Sequence, residues 1–135
     1  MNVFKLTDTL AVSGQITIAA VAEIAEAGYQ VLVNNRPDGE ESGQPDSAAI
    51  AAAAEAAGLE YHHMPVTAMN FPGGQIDEMA DLFDDGSRPV FAFCRTGTRC
   101  TNLWVYSREP EEREAAARRA QAIGFDLSMA ARALG

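Results

Sequence analysis

Short apolar runs alternate along this chain with stretches whose apolar positions recur every three or four residues, and glycines and prolines punctuate the boundaries. Short runs read as buried strands, and the longer repeat reads as amphipathic helix. Residues 9–13 predict a strand. Thr17 is placed to cap a helix with Ile18, Val21, Ala22, Ile24 and Ala25 on one face, stopped at Gly28. Residues 30–34 predict a buried strand, followed by a polar, turn-rich loop over 35–45. Asp46 or Ser47 caps an alanine-rich helix that runs through Ala57 and ends at Gly58. Residues 61–66 form a third extended segment, and a loop with Pro72, Gly73 and Gly74 leads to a helix over 76–83. Residues 89–93 predict the central strand, after which 101–106 turn helical. Pro110 opens an Arg- and Ala-rich helix that stops at Gly124, and 127–134 predict a last short helix.

Strands alternating with helices predict an α/β fold with a mainly parallel central sheet flanked by helices. In such sheets ligands bind beyond the carboxyl ends of the strands. The loops over 34–40 and 66–74 and the one after Phe93 would converge there. At 135 residues the chain is long enough for a hydrophobic core without staples, so residues 1–135 are expected to form one domain.

Composition narrows the field. Hydrophobic residues make up 47% and charged residues 21%, as in an ordinary globular protein. No apolar run approaches the roughly 18 residues of a membrane span, and residues 1–6 lack the features of a secretory signal. The two cysteines, Cys94 and Cys100, flank one loop instead of forming a disulfide framework, which favours a reducing, cytoplasmic setting. A net charge of −9 repels nucleic acid and acidic membranes, so neither is an expected partner. An acidic protein that binds a small anion needs a local positive focus, and Arg95 and Arg99 beside Cys94 supply one.

The candidate chemistry lies in Cys94-Arg95-Thr96-Gly97-Thr98-Arg99-Cys100. A thiolate where a strand meets a helix N-terminus sees the positive end of the helix dipole and unpaired backbone N–H groups. Those features lower a thiol pKa and cradle an anion at once. Gly97 permits the backbone curl that aims successive N–H groups inward, through Thr96, Gly97 and Thr98. Arg99 would close the loop and grip the anion bidentately. Arg95 reads either as a steering charge or as a solvated one. Cys100 reads as a small residue in the helix's first turn, or as a partner that resolves an oxidised Cys94 if their Cα atoms come within about 6 Å. His62 and His63 alternate across their strand and match no usual zinc spacing, so no metal site is expected, and no motif asks for a cofactor.

The segments Val12-Ser-Gly-Gln15, Val33-Asn-Asn-Arg-Pro-Asp-Gly-Glu-Glu41, Gln44-Pro45, His63-Met-Pro-Val66 and Phe93-Cys-Arg-Thr-Gly-Thr-Arg99 carry a resemblance to a known family. The chain resembles the beta-lactamase hydrolase-like (DUF442-type) phosphatase-like domains, relatives of the dual-specificity phosphatases that are also labelled sulfur transferases. The resemblance implies a dual-specificity-phosphatase-like α/β sandwich, Cys94 as nucleophile and the loop through Arg99 as anion cradle. It also implies a partner from sulfur metabolism, which no residue of this chain identifies. The family usually has serine after the loop arginine, where this chain has Cys100.

Two thiolate chemistries compete. Cysteine phosphatases resemble one another in a loop with five residues between cysteine and arginine and in a separate aspartic acid that protonates the leaving group. Rhodanese-type sulfurtransferases have a loop shorter by one and need no acid. Here four residues separate Cys94 from Arg99, and 67–71, where the acid is expected, hold no carboxylate. The expectation is therefore a sulfurtransferase that forms a persulfide on Cys94 from thiosulfate or a persulfide, with Arg36 as a possible second guanidinium. The alternative is a phosphatase for phosphate esters, working through a Cys94 phosphocysteine with Asp38 or Asp77 as acid; Glu40 could also serve if its loop folds over the site. A second alternative is a redox sensor using Cys94 and Cys100.

Overall fold

The computed structural model describes residues 1–135 and contains five strands and six helices. In chain order these are β1 (Val3–Thr7), β2 (Leu10–Ser13), α1 (Ile18–Glu26), β3 (Val31–Asn34), α2 (Ser47–Ala57), β4 (Glu60–His63), α3 (Ile76–Asp84), β5 (Val90–Phe93), α4 (Thr98–Tyr106), α5 (Arg113–Ile123) and α6 (Ser128–Leu134). The sheet order is β1-β2-β5-β3-β4. All neighbours run parallel except β1, which pairs antiparallel with β2 at the edge. The mainly parallel α/β sandwich read from the sequence is the fold.

Why these segments fold this way follows from local chemistry. β2, β3 and β5 are buried along their whole length, as strands covered on both faces must be. Their alternate residues serve two cores. Ala11, Leu32, Phe91 and Phe93 pack with Val21 and Ile24 of α1 and Ile50 and Ala54 of α2 on one face. Val12, Val33, Val90 and Ala92 pack on the other face with Met79 of α3, Leu103 of α4 and Ala120 of α5. Thr17 caps α1 by accepting the Ala20 N–H at 3.1 Å, and Asp46 caps α2 by accepting that of Ala49 at 2.9 Å.

Three details depart from the sequence reading. β1 has no counterpart in it, because an edge strand with only Leu6 fully buried leaves little apolar signal. The extended segment after α2 stops as a strand at His63. Pro110 opens a single 3₁₀ turn, Pro110–Glu112, before α5 takes over at Arg113. No helix is long and apolar enough to cross a membrane.

Candidate active site

Strand register places the site. Ser13, Phe93, Asn34 and His63 stand abreast at the carboxyl ends of β2, β5, β3 and β4. The segments after them therefore leave the sheet at one level. The asparagines stitch these segments together. The Asn35 N–H donates to Phe93 O at 2.9 Å and its side-chain amide to Met64 O at 3.0 Å, while the Arg36 N–H donates to Asn34 Oδ1 at 2.9 Å.

Cys94 follows β5 directly and is 0% exposed. Gly97, at φ +89°, takes a conformation that side chains rarely adopt and turns the chain into α4. Its N–H donates to Cys94 Sγ at 3.1 Å. The Cys94 thiol is pushed down to about 5. The first cause is the Cys100 S–H, which donates to the Cys94 sulfur; the backbone N–H groups of Cys100 and Thr96 and the charge of Arg99 add to it, and burial opposes them all. The same contact, with complete burial, pushes Cys100 well up. Cys94 is thus the thiolate and Cys100 its thiol donor.

A folded-state pKa below the unfolded one contributes stability above the ordinary thiol range, lost progressively as pH falls to about 5. Reactivity follows the thiolate, so alkylation of Cys94 by iodoacetamide is expected to titrate with a midpoint near 5 instead of in the usual range of about 8.5. Cys100→Ala removes the first-ranking donor and is expected to raise that midpoint. An unchanged midpoint would show that the backbone and Arg99 suffice.

Arg99 sits in the first turn of α4 with its guanidinium directed back across the loop. Nη1 donates to Glu40 Oε2 at 2.8 Å and to Val66 O at 3.0 Å, and Nη2 donates to Glu40 Oε1 at 2.8 Å. Nε–H and the second N–H of Nη2 have no protein partner, so one edge of the fork remains for an anion. Glu40 also accepts from Arg36 Nε at 2.9 Å, and it bridges the two guanidiniums. Arg36 is 2% exposed and is held further by Gln15 Oε1 at 3.0 Å and Glu41 Oε1 at 3.1 Å. It therefore braces the loop from beneath. The Arg99 hydrogen bond, then Arg36, holds Glu40 below the usual carboxylate range despite partial burial. Glu40 is ionised near neutrality and positions Arg99.

The remaining site candidates fall in different places. Thr96 and Thr98 line the loop, with the Thr96 hydroxyl donating to Thr98 Oγ1 at 2.9 Å. Of the first-turn N–H groups of α4, that of Thr98 donates to Thr96 Oγ1 at 3.4 Å and that of Cys100 is turned to the Cys94 sulfur. Arg95 is exposed and stands 3.7 Å from Glu41 at the rim. Asp38 Oδ1 accepts the Ser47 N–H at 2.8 Å at the start of α2. Asp77 lies in the first turn of α3, where it lines a cavity with Tyr106, Ser107 and Arg108 at the far end of α4. The segment after Val66 folds on itself through Thr67 and Asn70 and presents no carboxylate. His63 bonds the Arg36 carbonyl through Nε2 at 2.9 Å, while His62 turns away to Glu60.

Two further residues complete the site, Glu40 as an ion-pair partner and not as the acid that its loop position offered. Glu40 is the partner of Arg99; its spacing from Arg36 signals a local ion pair, but nothing in the sequence signals the distant one. Gly14 is the second, since its chain passes so close to the loop that an added Cβ would stand 2.9 Å from Arg95 O. The neighbouring Gln15 N–H donates to that same oxygen at 3.2 Å. Gly14→Ala is expected to destabilise the protein by about 1–3 kcal/mol, the usual scale of overpacking, read as a lowered midpoint in thermal unfolding. A groove of about 420 Å³ opens beside the loop, with Phe4, Gln15, Arg95 and Thr96 among its walls.

Comparison with known proteins agrees with this geometry. Residues 2–110 match the family described as beta-lactamase hydrolase-like protein, phosphatase-like domain. A beta-lactamase hydrolase-like protein of Agrobacterium fabrum is 34% identical over 105 residues, which cover 78% of this chain and 24% of that protein. The chain thus spans about a quarter of the length of that relative, and 31% of its Xylella fastidiosa counterpart. Among solved structures, a candidate phosphatase from Neisseria meningitidis is 41% identical with a TM-score of 0.76, covering 91% of this chain and 89% of that one. TpbA of P. aeruginosa, solved in complex with phosphotyrosine, shares the fold at 16% identity and a TM-score of 0.61, with 97% of this chain and 89% of that one covered.

Proposed function

The chain belongs to the phosphatase-like domain family of beta-lactamase hydrolase-like proteins, and on that premise we propose that it is a cysteine-dependent phosphatase for small phosphate monoesters, with Cys94 as nucleophile. The observation that carries this reading is a thiolate held at about 5 beneath an arginine whose Nε–Nη2 edge is free. The Cys94 sulfur attacks phosphorus, the bond to the leaving oxygen breaks, and a phosphocysteine forms. Water then attacks phosphorus and returns the thiolate. The non-bridging oxygens accept from the first-turn N–H groups of α4 and from Arg99. The groove beside Phe4 and Arg95 offers space for the rest of the substrate. The phosphotyrosine bound to TpbA favours an aryl ester as its class.

Missing acid chemistry sharpens the substrate class. Asp38 and Asp77 are committed elsewhere, and Glu40 is an ionised partner of Arg99, so no placed group protonates the leaving oxygen. A positioned acid contributes about 10²–10⁴-fold. Esters whose leaving group departs as an anion lose little of this, and alkyl esters lose most. Turnover of para-nitrophenyl phosphate is expected to exceed that of glycerol phosphate by at least that range in kcat/KM. Comparable rates would mean that an acid has been overlooked.

The four-residue loop favours a second reading, transfer of sulfane sulfur through a Cys94 persulfide. A cradle shorter by one residue offers one fewer N–H and suits a smaller group. Wild type and Cys94→Ser, assayed with para-nitrophenyl phosphate in one arm and thiosulfate plus cyanide in the other, separate the two. Cys94-dependent phosphate release with little thiocyanate supports the phosphatase. Thiocyanate without phosphate overturns it in favour of sulfur transfer.

A further inference from the structure

Arg95 is the one charged side chain on the wall of the groove that opens beside the Cys94 loop. Its backbone is fixed from the β2 side. The Arg95 carbonyl accepts the Gln15 N–H at 3.2 Å, and Gly14 leaves no room for a Cβ against that same oxygen. The side chain, by contrast, is free. It is 66% exposed, and no protein acceptor takes a hydrogen bond from its guanidinium. Glu41 Oε1 stands 3.7 Å from Nε and already accepts from Arg36 Nη2 at 3.1 Å. An exposed pair at that separation contributes little. The other two guanidiniums near the loop, Arg36 and Arg99, are both tied to Glu40. Arg95 is therefore the cation that keeps its full set of five N–H donors for a ligand.

The rest of the wall is apolar or already paired. Gln15 donates to Ile16 O through Nε2 and accepts from Arg36 through Oε1, and the Thr96 hydroxyl donates to Thr98 Oγ1. Phe4 is half-buried and packs edge-to-face on Phe125, with ring centroids 5.2 Å apart. A group entering the groove thus meets a fixed aromatic ring and one uncommitted guanidinium.

We propose that this groove receives the leaving group of the substrate and that Arg95 selects aryl phosphates whose ring bears a carboxylate. The proposal rests on the phosphatase reading and names the substrate class within it. The ring packs on Phe4, and the carboxylate accepts two parallel N–H groups from Arg95 in place of the loose contact with Glu41. Charge argues for a dedicated partner. The chain carries a net charge of −9, so a second negative charge on the substrate is repelled at long range and must be met locally. The same field disfavours an acidic peptide, whose further carboxylates would lie over the acidic surface, and favours a small molecule.

The test compares phenylphosphonate with para-carboxyphenylphosphonate, neither of which can be hydrolysed, as protectants of Cys94 against alkylation by iodoacetamide. Wild type is expected to be protected by the carboxylated compound at about ten-fold lower concentration, the scale of a charge-assisted pair at an exposed site. In Arg95→Ala the two compounds are expected to protect equally, and in Arg95→Glu their order is expected to reverse. The two compounds are compared within each variant, so a change in the reactivity of Cys94 itself cancels. Wild type without the preference, or Arg95→Ala with it, would overturn the proposal and leave the phosphatase reading standing. Protection by neither phosphonate refutes the phosphatase reading, and the proposal falls with it.

Discussion

Cys94→Ser is expected to lower kcat/KM for para-nitrophenyl phosphate by on the order of 10⁴-fold or more, the scale seen when a covalent nucleophile is removed. The site is built around a group that is anionic at neutral pH. Its sulfur accepts from the Gly97 N–H at 3.1 Å and from the Cys100 thiol, and together with Arg99 these hold the thiol at about 5. A serine hydroxyl keeps its proton under the same influences, because its intrinsic acidity is far weaker and no general base stands beside it. The cradle would survive the change, so the variant should still bind inorganic phosphate or vanadate with affinity near that of wild type. Loss of turnover with retained anion binding separates the chemical role from a folding defect. Substantial phosphate release by the variant would remove Cys94 from the mechanism.

Arg99→Lys carries the second largest expected effect, a fall of about 10²–10³-fold in kcat, comparable to removing a preorganised donor from an oxyanion site. Arginine does two things here that lysine cannot do together. The guanidinium is fixed by Glu40 at 2.8 Å through both Nη atoms and by Val66 O, which leaves Nε and one N–H of Nη2 as two parallel donors without a protein partner. An ammonium keeps the charge but can present no second, oriented edge. Steady-state kinetics of the variant should show kcat falling more than KM rises, because two parallel donors matter most as charge spreads over the equatorial oxygens of the transition state. A rise in KM with kcat unchanged would make Arg99 a simple attractor of anions.

The parts of this site that could be read from sequence are the ones encoded locally. The run from Val90 to Phe93 ending in Cys94, with Gly97 three residues on, announces a strand, a tight loop and a helix start within one short stretch. The order of strands and helices and the parallel sheet follow from the same periodicities. Contacts between distant segments are not encoded this way. Glu40 meets Arg99 across 59 positions of sequence, and only the common level at which β3 and β5 end brings them together. Asp38 and Asp77 looked available because a carboxylate in a loop or a first turn suits both capping and catalysis. The fold commits Asp38 to the start of α2 and places Asp77 at the far end of α4. Cys100 was ambiguous for a related reason: its place in the first turn of α4 is readable, but the direction of its thiol is set by packing. β1 leaves little trace in the sequence because an edge strand with only Leu6 fully buried has no continuous apolar run.

A phosphatase working through Cys94 passes phosphorus to that sulfur. The step is caught by rapid quench into denaturant at neutral pH during turnover of an aryl phosphate carrying radiolabelled phosphorus, followed by peptide mapping. Label is expected on the peptide that contains Cys94, formed within the first turnover, released by iodine as a P–S bond is, and absent from Cys94→Ser. Phosphate release by wild type with no label on that peptide at any quench time would contradict it.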